Sequence, residues 1–166
     1  MARVTFKGNP VNTSGSLPSI GSAAPDFSLV ASDLSEKSLA DFAGKKKVLT
    51  INPSYDTGVC QATARKFNES LSGRSDVVVL AISQDLPFAQ KRFCEGEGLK
   101  QVVPLSAFRS SFAKDYGLLL VDGALRGLTA RAVLVLDEEN QVLVSQLVPE
   151  IASEPDFAAV SSALKR

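Results

Sequence analysis

Two almost continuous apolar runs, separated by an amphipathic segment, limit the fold more than any other feature of the sequence. Residues 48–52 and 77–82 contain few polar side chains, which is typical of strands buried on both faces of a sheet. Between them, apolar residues such as Ala64 and Phe67 recur among polar ones, which predicts an amphipathic helix that Gly73 ends. A buried strand, a helix and a second buried strand in this order predict an α/β domain with helices on both faces of its sheet.

The rest of the chain continues this alternation. At the N-terminus, Val4 and Phe6 alternate with polar residues and Gly8-Asn9 is a turn sequence, so a β-hairpin is predicted there. Further strands are predicted at residues 27–30, 102–105, 132–136 and 142–147, and further helices at residues 38–42, 88–95, 108–116 and 153–164. This order predicts a thioredoxin-like fold, in which helices flank a central mixed sheet.

A proline or a glycine marks most of the predicted helix ends. Pro87 opens one helix and Gly96 closes it, while Gly117 ends the next. Ser153 is the first residue of a sequence that resembles a capping box, which starts the last helix. The acidic turn at residues 137–140 joins the last two strands, so an antiparallel hairpin is expected.

The length and the charge of the chain exclude several classes of function. Its 166 residues fit one domain, residues 1–166. The 18 basic and 18 acidic residues cancel, so neither nucleic acid nor a membrane surface is an expected partner. No apolar run is long enough to span a membrane and residues 1–8 lack the apolar core of a signal peptide, so a cytoplasmic location is expected. The run Lys45-Lys46-Lys47 predicts a solvated entrance to the following strand.

Histidine is absent from the sequence, and its absence removes much acid–base and metal chemistry. Neither a Ser-His-Asp nor a Cys-His catalytic site can form. Two cysteines without histidine do not complete a usual zinc site, so neither a metal nor a cofactor is expected. Cys60 and Cys94 remain as candidate reactive groups. In a cytosolic chain, such cysteines are more often buried hydrophobic residues or catalytic thiols than members of a structural disulfide.

The position of Cys60 favours a reactive thiol. It lies where the loop after a buried strand becomes a helix, and open α/β folds place their sites at the carboxyl ends of strands. The free N–H groups and the dipole at a helix start stabilise a thiolate. Thr57, three residues earlier, is placed to cap the helix or to reach the Cys60 sulfur with its hydroxyl. A buried, inert cysteine is the alternative, and we consider it the weaker one at this position.

The segment from Pro53 to Cys60 matches the motif Pro-x-x-x-Thr-x-x-Cys, and the sequence there resembles the peroxiredoxins. Several stretches are similar to the bacterial thiol peroxidase subfamily in particular: residues 8–11, 56–60, 85–94 and 127–133. The resemblance therefore covers essentially the whole chain. Asn52 departs from it, because an aromatic residue is expected before the proline, and this predicts a changed wall of the substrate pocket.

The resemblance implies a role for each candidate residue. Cys60 is the peroxidatic nucleophile that becomes a sulfenic acid, and Pro53 shields it from bulk water. Thr57 and Arg131 orient the peroxide and stabilise the charge that moves onto the leaving oxygen. Cys94 is the resolving thiol that forms an intramolecular disulfide with Cys60, and thioredoxin reduces this disulfide. The implied substrates are hydrogen peroxide and organic hydroperoxides, and the implied assembly is a homodimer.

Spacing alone leaves simpler interpretations open. On that basis Arg131, at the start of a strand, is an ordinary surface charge, and Cys94, with Phe88 and Phe93 at helical spacing, is a core residue. A disulfide oxidoreductase on the same fold is an alternative function, although its usual pair of cysteines two residues apart is missing. A non-enzymatic redox sensor, in which Cys60 is oxidised without turnover, is another.

Overall fold

The computed structural model describes residues 1–165, so Arg166, which the predicted domain includes, lies outside the described residues. The chain begins with an antiparallel hairpin, β1 (Arg3–Phe6) and β2 (Asn9–Asn12). A seven-stranded sheet follows, formed by β3 (Leu29–Ala31), β4 (Glu36–Lys37), β5 (Lys46–Ile51), β6 (Val77–Ser83), β7 (Val102–Ser106), β8 (Ala132–Leu136) and β9 (Val142–Leu147). Its strand order is β4-β3-β7-β6-β5-β8-β9.

The sheet is mixed because helical crossovers join only its central strands. Helix α1 (Gly58–Ser70) connects β5 to β6 and helix α2 (Pro87–Glu97) connects β6 to β7, so these three strands run parallel. β3 pairs antiparallel with β7, and β8 pairs antiparallel with both β5 and β9. The carboxyl ends of β5, β6 and β7 therefore lie at one edge, where the loops that lead into α1 and α2 also meet.

Both faces of the sheet are covered, because successive residues of each central strand point to opposite sides. Val48 packs in a cluster with α1 and with α4 (Phe157–Leu164), which includes Phe67 and Val160. Leu49 and Ile51 pack on the other side with the N-terminal segments, a 3-10 turn (Leu39–Phe42) and the short helix α3 (Phe112–Asp115). The predicted mixed sheet with flanking helices and an N-terminal hairpin is confirmed.

Two predicted features near strand starts are wrong. The hairpin turn is Lys7-Gly8, because Asn9 is already the first residue of β2. Both turn residues have positive φ, 52° and 82°, which a two-residue turn needs in order to match the twist of the flanking strands. The lysine run is not a solvated entrance, because Lys46 and Lys47 are the first two residues of β5 and both are buried. Lys47 donates to the carbonyl oxygen of Lys45 at 2.9 Å, and burial lowers the pKa of its ammonium group.

Three predicted helix boundaries are also wrong. α2 continues through Gly96 and ends at Gly98, which adopts the left-handed conformation with a φ of 66°. α3 covers only Phe112–Asp115 of the predicted residues 108–116. The cap of α4 is Asp156, whose carboxylate accepts from the N–H groups of the second and third helical residues, and not Ser153. Among residues 1–165, no helix has the length and the apolar character that crossing a membrane requires.

Candidate active site

Cys60 lies in the first turn of α1, directly beyond the carboxyl end of β5. The loop from Asn52 to Thr57 separates the two elements, and the Cys60 side chain has no exposed surface. Cys60 is the third residue of α1 and so belongs to the turn whose free N–H groups carry the positive end of the helix dipole. The predicted placement of Cys60 at a strand-to-helix junction is therefore correct.

The carboxylate of Asp85, in the loop between β6 and α2, fixes the loop that leads to Cys60. It accepts hydrogen bonds from the Ser54 hydroxyl at 2.7 Å, the backbone N–H of Tyr55 at 2.8 Å and the Ser83 hydroxyl at 2.8 Å. Apart from the resemblance of residues 85–94, no sequence pattern predicts this contact, because the contact depends on β5 and β6 being neighbours. Asp85 thus ties the Cys60 loop to the start of the helix that carries Cys94.

Thr57 occupies the N-cap position of α1, but its hydroxyl makes neither of the two contacts that the sequence predicted. The hydroxyl donates to the carbonyl oxygen of Ser54 at 3.0 Å and makes no side-chain cap. The residue is exposed and lines the pocket described below, as does the buried Pro53. Thr57 is therefore placed to face a ligand in that pocket, while Ser54 holds its side chain from behind.

Arg131 immediately precedes β8 and is only 2% exposed, so the surface-charge interpretation is wrong. Its Nε donates to the carbonyl oxygen of Ile151 at 2.7 Å. Its Nη1 donates to Oδ1 of Asn52 at 2.8 Å and to the sulfur of Cys60 at 3.1 Å. Within residues 1–165, no carboxylate lies within 4.0 Å of this guanidinium. The Cys60 sulfur is therefore the one acceptor among these partners that can carry a compensating negative charge.

A pocket of about 280 Å³ opens beside this hydrogen bond. Pro53, Thr57 and Arg131 line it, and because Arg131 bonds to Cys60, the sulfur lies one hydrogen bond from the pocket wall. Most of the remaining lining residues are apolar: Phe6, Val59, Leu125, Leu128, Ile151 and Ala152, with Lys7, Ser54 and Gly58 beside them. All of these except Ser54, Gly58 and Val59 come from distant parts of the chain. Asn52 does not itself line this pocket; it is buried and accepts a hydrogen bond from Arg131, which does.

Glu150 holds two walls of this pocket together. Its carboxylate accepts from the backbone N–H of Gly8 in the hairpin turn at 2.9 Å and from the N–H of Ala152 at 2.8 Å. These two hydrogen bonds, that of Ala152 first, lower the pKa of the Glu150 carboxyl. The hairpin is further joined to the sheet by the bond from the N–H of Ile151 to the carbonyl oxygen of Thr5 at 2.8 Å. Phe6 is thus held against the pocket although it lies far from Cys60 in sequence.

Cys94 does not line the pocket beside Arg131, although it packs against the same buried cluster that contains Cys60. It is on α2, both cysteines are free thiols, and the pocket beside Cys94 shares no lining residue with the pocket beside Arg131. Partial burial raises the pKa of the Cys94 thiol from its ordinary 9.0 to about 11. The structure thus brings Pro53, Thr57, Arg131 and Cys60 together and leaves Cys94 on a separate helix.

A larger groove of about 420 Å³ lies between α1 and α4, but none of the candidate residues lines it. Among the described residues, no group of three or more Cys, Asp or Glu side chains is placed to hold a metal ion. The chemistry available at the smaller pocket is that of a buried thiol hydrogen-bonded to a guanidinium. On a thioredoxin-like sheet, this arrangement is that of a thiol-dependent oxidoreductase.

Comparisons with known proteins narrow this class. The Redoxin family matches residues 19–163. The chain is 50% identical to the thiol peroxidase of Corynebacterium glutamicum and 49% identical to that of Mycobacterium bovis, in each case over 164 residues and 99% of both chains. The protein therefore belongs to the Redoxin family and, within it, to the thiol peroxidases; it is a peroxidase of the peroxiredoxin type.

Solved structures agree with this assignment. The chain superimposes on a peroxiredoxin-like protein from Aquifex aeolicus with a TM-score of 0.92 and 41% identity, over 99% of this chain and 96% of that one. It superimposes on a thiol peroxidase from Chromobacterium violaceum with a TM-score of 0.89 and 25% identity, over 98% and 95% of the two chains. The predicted thioredoxin-like fold and the predicted enzyme class are confirmed.

Proposed function

We propose that the protein reduces hydrogen peroxide and organic hydroperoxides by means of the Cys60 thiolate. The observation that carries the proposal is the 3.1 Å hydrogen bond from Arg131 to the Cys60 sulfur, made by a buried guanidinium at the wall of a pocket. A guanidinium keeps its positive charge at any working pH and therefore favours the thiolate, which is the nucleophilic form of cysteine.

In the first step, the Cys60 thiolate attacks the terminal oxygen of the hydroperoxide. A sulfur–oxygen bond forms and the oxygen–oxygen bond breaks, which leaves a sulfenic acid on Cys60 and releases an alkoxide, or a hydroxide from hydrogen peroxide, that takes up a proton from water. Arg131 and Thr57 line the pocket from which the peroxide reaches the sulfur, and we assign them to orienting it and to stabilising the leaving oxygen. Pro53 shields the sulfur from bulk water.

In the second step, the Cys94 thiol condenses with the sulfenic acid, so that a disulfide forms and water leaves. A disulfide requires Cα atoms within about 7 Å. The two cysteines are free thiols on different helices and Cys60 is fully buried, so we assign to this step a local opening of the structure. A thioredoxin dithiol then reduces the disulfide and is itself oxidised, which restores both thiols.

The apolar lining of the pocket supports organic hydroperoxides as substrates, because an alkyl or aryl group gains free energy when it leaves water for an apolar wall. The family supports thioredoxin as the reductant and a homodimer as the assembly. Leu86 and Phe88, 51% and 65% exposed at the start of α2, are apolar side chains that a second subunit would cover. A cycle that depends on thioredoxin fits a reducing compartment, which supports the cytoplasm as the location.

A peroxidase assay with a thioredoxin system tests the proposal. We expect the protein to consume both hydrogen peroxide and cumene hydroperoxide when thioredoxin is supplied, and to reduce insulin poorly. Cys60→Ser should retain less than about 1% of this activity, because a serine hydroxyl remains protonated and is a poor nucleophile. The proposal is wrong if the wild-type protein does not turn over, or if Cys60→Ser remains active.

A further inference from the structure

Asn52 is fixed at the centre of the site without touching the peroxide pocket. It follows β5, it has no exposed surface, and its backbone N–H donates to the carbonyl oxygen of Ile82 at 3.0 Å. Its own carbonyl oxygen accepts from the hydroxyl of Thr129 at 3.0 Å. Because its backbone is held from two sides, the position of its side-chain amide is also well defined.

The hydrogen-bond partners of Asn52 determine which way its amide faces. A guanidinium only donates, so Oδ1 must face Arg131, whose Nη1 lies 2.8 Å away. Nδ2 then faces the hydroxyl oxygen of Tyr55, to which it makes its shortest hydrogen bond at 2.9 Å, and the carbonyl and hydroxyl oxygens of Thr50, both at 3.3 Å. The Nη1 atom that Asn52 holds is the same atom that donates to the Cys60 sulfur. A continuous path of hydrogen bonds therefore runs from Tyr55 through Asn52 and Arg131 to Cys60.

Tyr55 connects this path to the helix that carries Cys94. Its side chain is buried, and its ring stacks on the ring of Phe93 with 5.2 Å between the centroids. Burial first, and then electrostatic interaction with the nearby Cys60 and Cys94, raise the pKa of the Tyr55 hydroxyl well above its usual value. The hydroxyl therefore remains neutral and keeps its hydrogen bond to Asn52 throughout the working range of pH.

We propose that Asn52 is a positioning residue that aims Arg131 at the Cys60 sulfur, and that Tyr55 holds Asn52 in the required orientation. The inference rests on the proposed function and adds to it the residues that set the geometry of the guanidinium. Ile151 binds Nε and Asn52 binds Nη1, so two anchors fix a long side chain that has several freely rotating bonds. With one anchor removed, the guanidinium can rotate away from the sulfur.

The amide is also the suitable chemical group for this position. A carboxylate at residue 52 would accept the same hydrogen bond, but its charge would offset the guanidinium and disfavour a thiolate at Cys60. An amide supplies an acceptor to Arg131 and a donor to Tyr55 without adding charge. Asn52→Leu and Asn52→Asp are therefore both expected to lower the reactivity of Cys60. The leucine no longer holds the guanidinium of Arg131 in place, and the aspartate offsets its charge.

The experiment measures Cys60 in a Cys94→Ser background, where only one thiol reacts. Asn52→Leu should slow the single-turnover reaction with hydrogen peroxide about 10- to 100-fold, because small displacements of a catalytic group have effects of this size. The rate of Cys60 alkylation at neutral pH should fall, and its profile against pH should move to higher pH. A role in folding alone would lower the melting temperature and leave the alkylation profile of the folded protein unchanged.

Two further variants keep the test decisive if Asn52→Leu does not fold. Tyr55→Phe keeps the stacking on Phe93 and removes the hydroxyl, so it should move the alkylation profile in the same direction by a smaller amount. The matched control is Tyr116→Phe, which removes the other buried tyrosine hydroxyl; this hydroxyl donates to the carbonyl oxygen of Pro25 at 2.6 Å. We expect Tyr116→Phe to leave both the peroxide rate and the alkylation profile unchanged.

A double variant shows whether Asn52 acts through Arg131. In an Arg131→Met background, Asn52→Leu should not reduce the peroxide rate further, since residues that act through one another are not additive. Equal effects of Asn52→Leu with and without Arg131 would overturn the proposal, as would an unchanged alkylation profile in all the single variants. If the wild-type protein does not consume peroxide, the proposed function fails, but the alkylation profiles still decide the role of Asn52.

Discussion

At the scale of single residues, the site depends on a buried positive charge that has no carboxylate partner among residues 1–165. A buried ion without a counter-ion is costly, and proteins keep such groups where they serve a function. Within residues 1–165, Arg131 donates hydrogen bonds to Ile151, Asn52 and Cys60, and only the last partner can become an anion. The guanidinium thus favours the charged form of the residue that it is expected to activate.

Replacement of Arg131 tests this charge directly. Arg131→Met keeps most of the buried apolar volume and removes both the charge and the donor to Cys60. Loss of one preorganised donor typically costs about 10²–10³ in rate, so the single-turnover reaction with hydrogen peroxide should slow by this factor. Stopped-flow measurement in the Cys94→Ser background provides this rate constant. A rate constant equal to that of the parent protein would contradict the role given to Arg131.

The two cysteines should differ sharply in reactivity. Because burial raises the pKa of Cys94 from 9.0 to about 11, the fraction of its thiolate at neutral pH is about 100-fold lower than that of an ordinary cysteine. In Cys60→Ser, alkylation of Cys94 at neutral pH should be slower by about this factor and should rise about tenfold per pH unit toward pH 11. Unfolding in urea should restore the ordinary rate. Fast alkylation of the folded protein would show that Cys94 is more accessible than the structure indicates.

At the scale of secondary structure, α2 is the element best suited to open during the second step. Of its eleven residues only Pro87 and Gln90 are buried, whereas α1 buries Cys60, Thr63, Ala64 and Phe67. The rest of α2 is held by Phe93, which stacks on Tyr55, by Cys94, which is partly buried against the same core cluster, and by an exposed ion pair of Arg65 with Glu97 at 3.2 Å. Surface ion pairs contribute little, and segments with few buried contacts open at low free energy.

Hydrogen exchange of the two redox forms tests this opening. In the disulfide form, the amides around Phe93 and Cys94 should exchange about tenfold faster or more than in the reduced form, because α2 must unravel to bring Cys94 to Cys60. The amides of residues 63–67, in the buried part of α1, serve as the internal reference and should remain protected. Equal protection of α2 in both forms would mean that the disulfide forms by a different movement.

Sequence predictions that depend only on neighbouring residues were more accurate than those that depend on contacts made in the folded chain. The bounds of β8 and β9 were predicted correctly, because alternating or continuous apolar runs need only a buried sheet to explain them. The end of α2 was wrong because Gly96 and Gly98 both suit a helix end, and only the folded chain shows which one adopts the left-handed conformation. The prediction for Lys47 failed because a long ammonium side chain can be buried when a carbonyl oxygen accepts from it.

At the scale of the whole molecule, the site is assembled from segments that the sequence separates widely. Pro53, Thr57 and Cys60 lie in one local motif and were predicted from it. Arg131 is 71 residues from Cys60, so only the family resemblance identified it. The contact of Asp85 with the Cys60 loop and that of Phe6 with the pocket depend on the order of strands and on the docking of the hairpin, which no local pattern encodes.

The N-terminal hairpin is therefore expected to influence which substrate the enzyme accepts. Phe6 contributes an apolar side chain to the wall of the pocket that Arg131, the partner of Cys60, also lines. In Phe6→Ala, an aryl hydroperoxide loses an apolar contact, and losses of this kind change rates by roughly 10-fold or somewhat more. Hydrogen peroxide is too small to use that wall. The second-order rate constant should therefore fall about 10-fold for cumene hydroperoxide and change little for hydrogen peroxide.

A second phenylalanine variant serves as the matched control for Phe6→Ala. Phe108→Ala removes an exposed phenyl ring, 44% exposed and absent from the pocket lining, and should leave both rate constants unchanged. The rate constants for both substrates should be measured by stopped flow with each variant. The ratio of the cumene hydroperoxide rate constant to the hydrogen peroxide rate constant then distinguishes a change in substrate preference from a general loss of activity. If Phe6→Ala slows both substrates equally, the hairpin supports the fold of the site but does not select the substrate, because only a direct contact distinguishes a large peroxide from a small one.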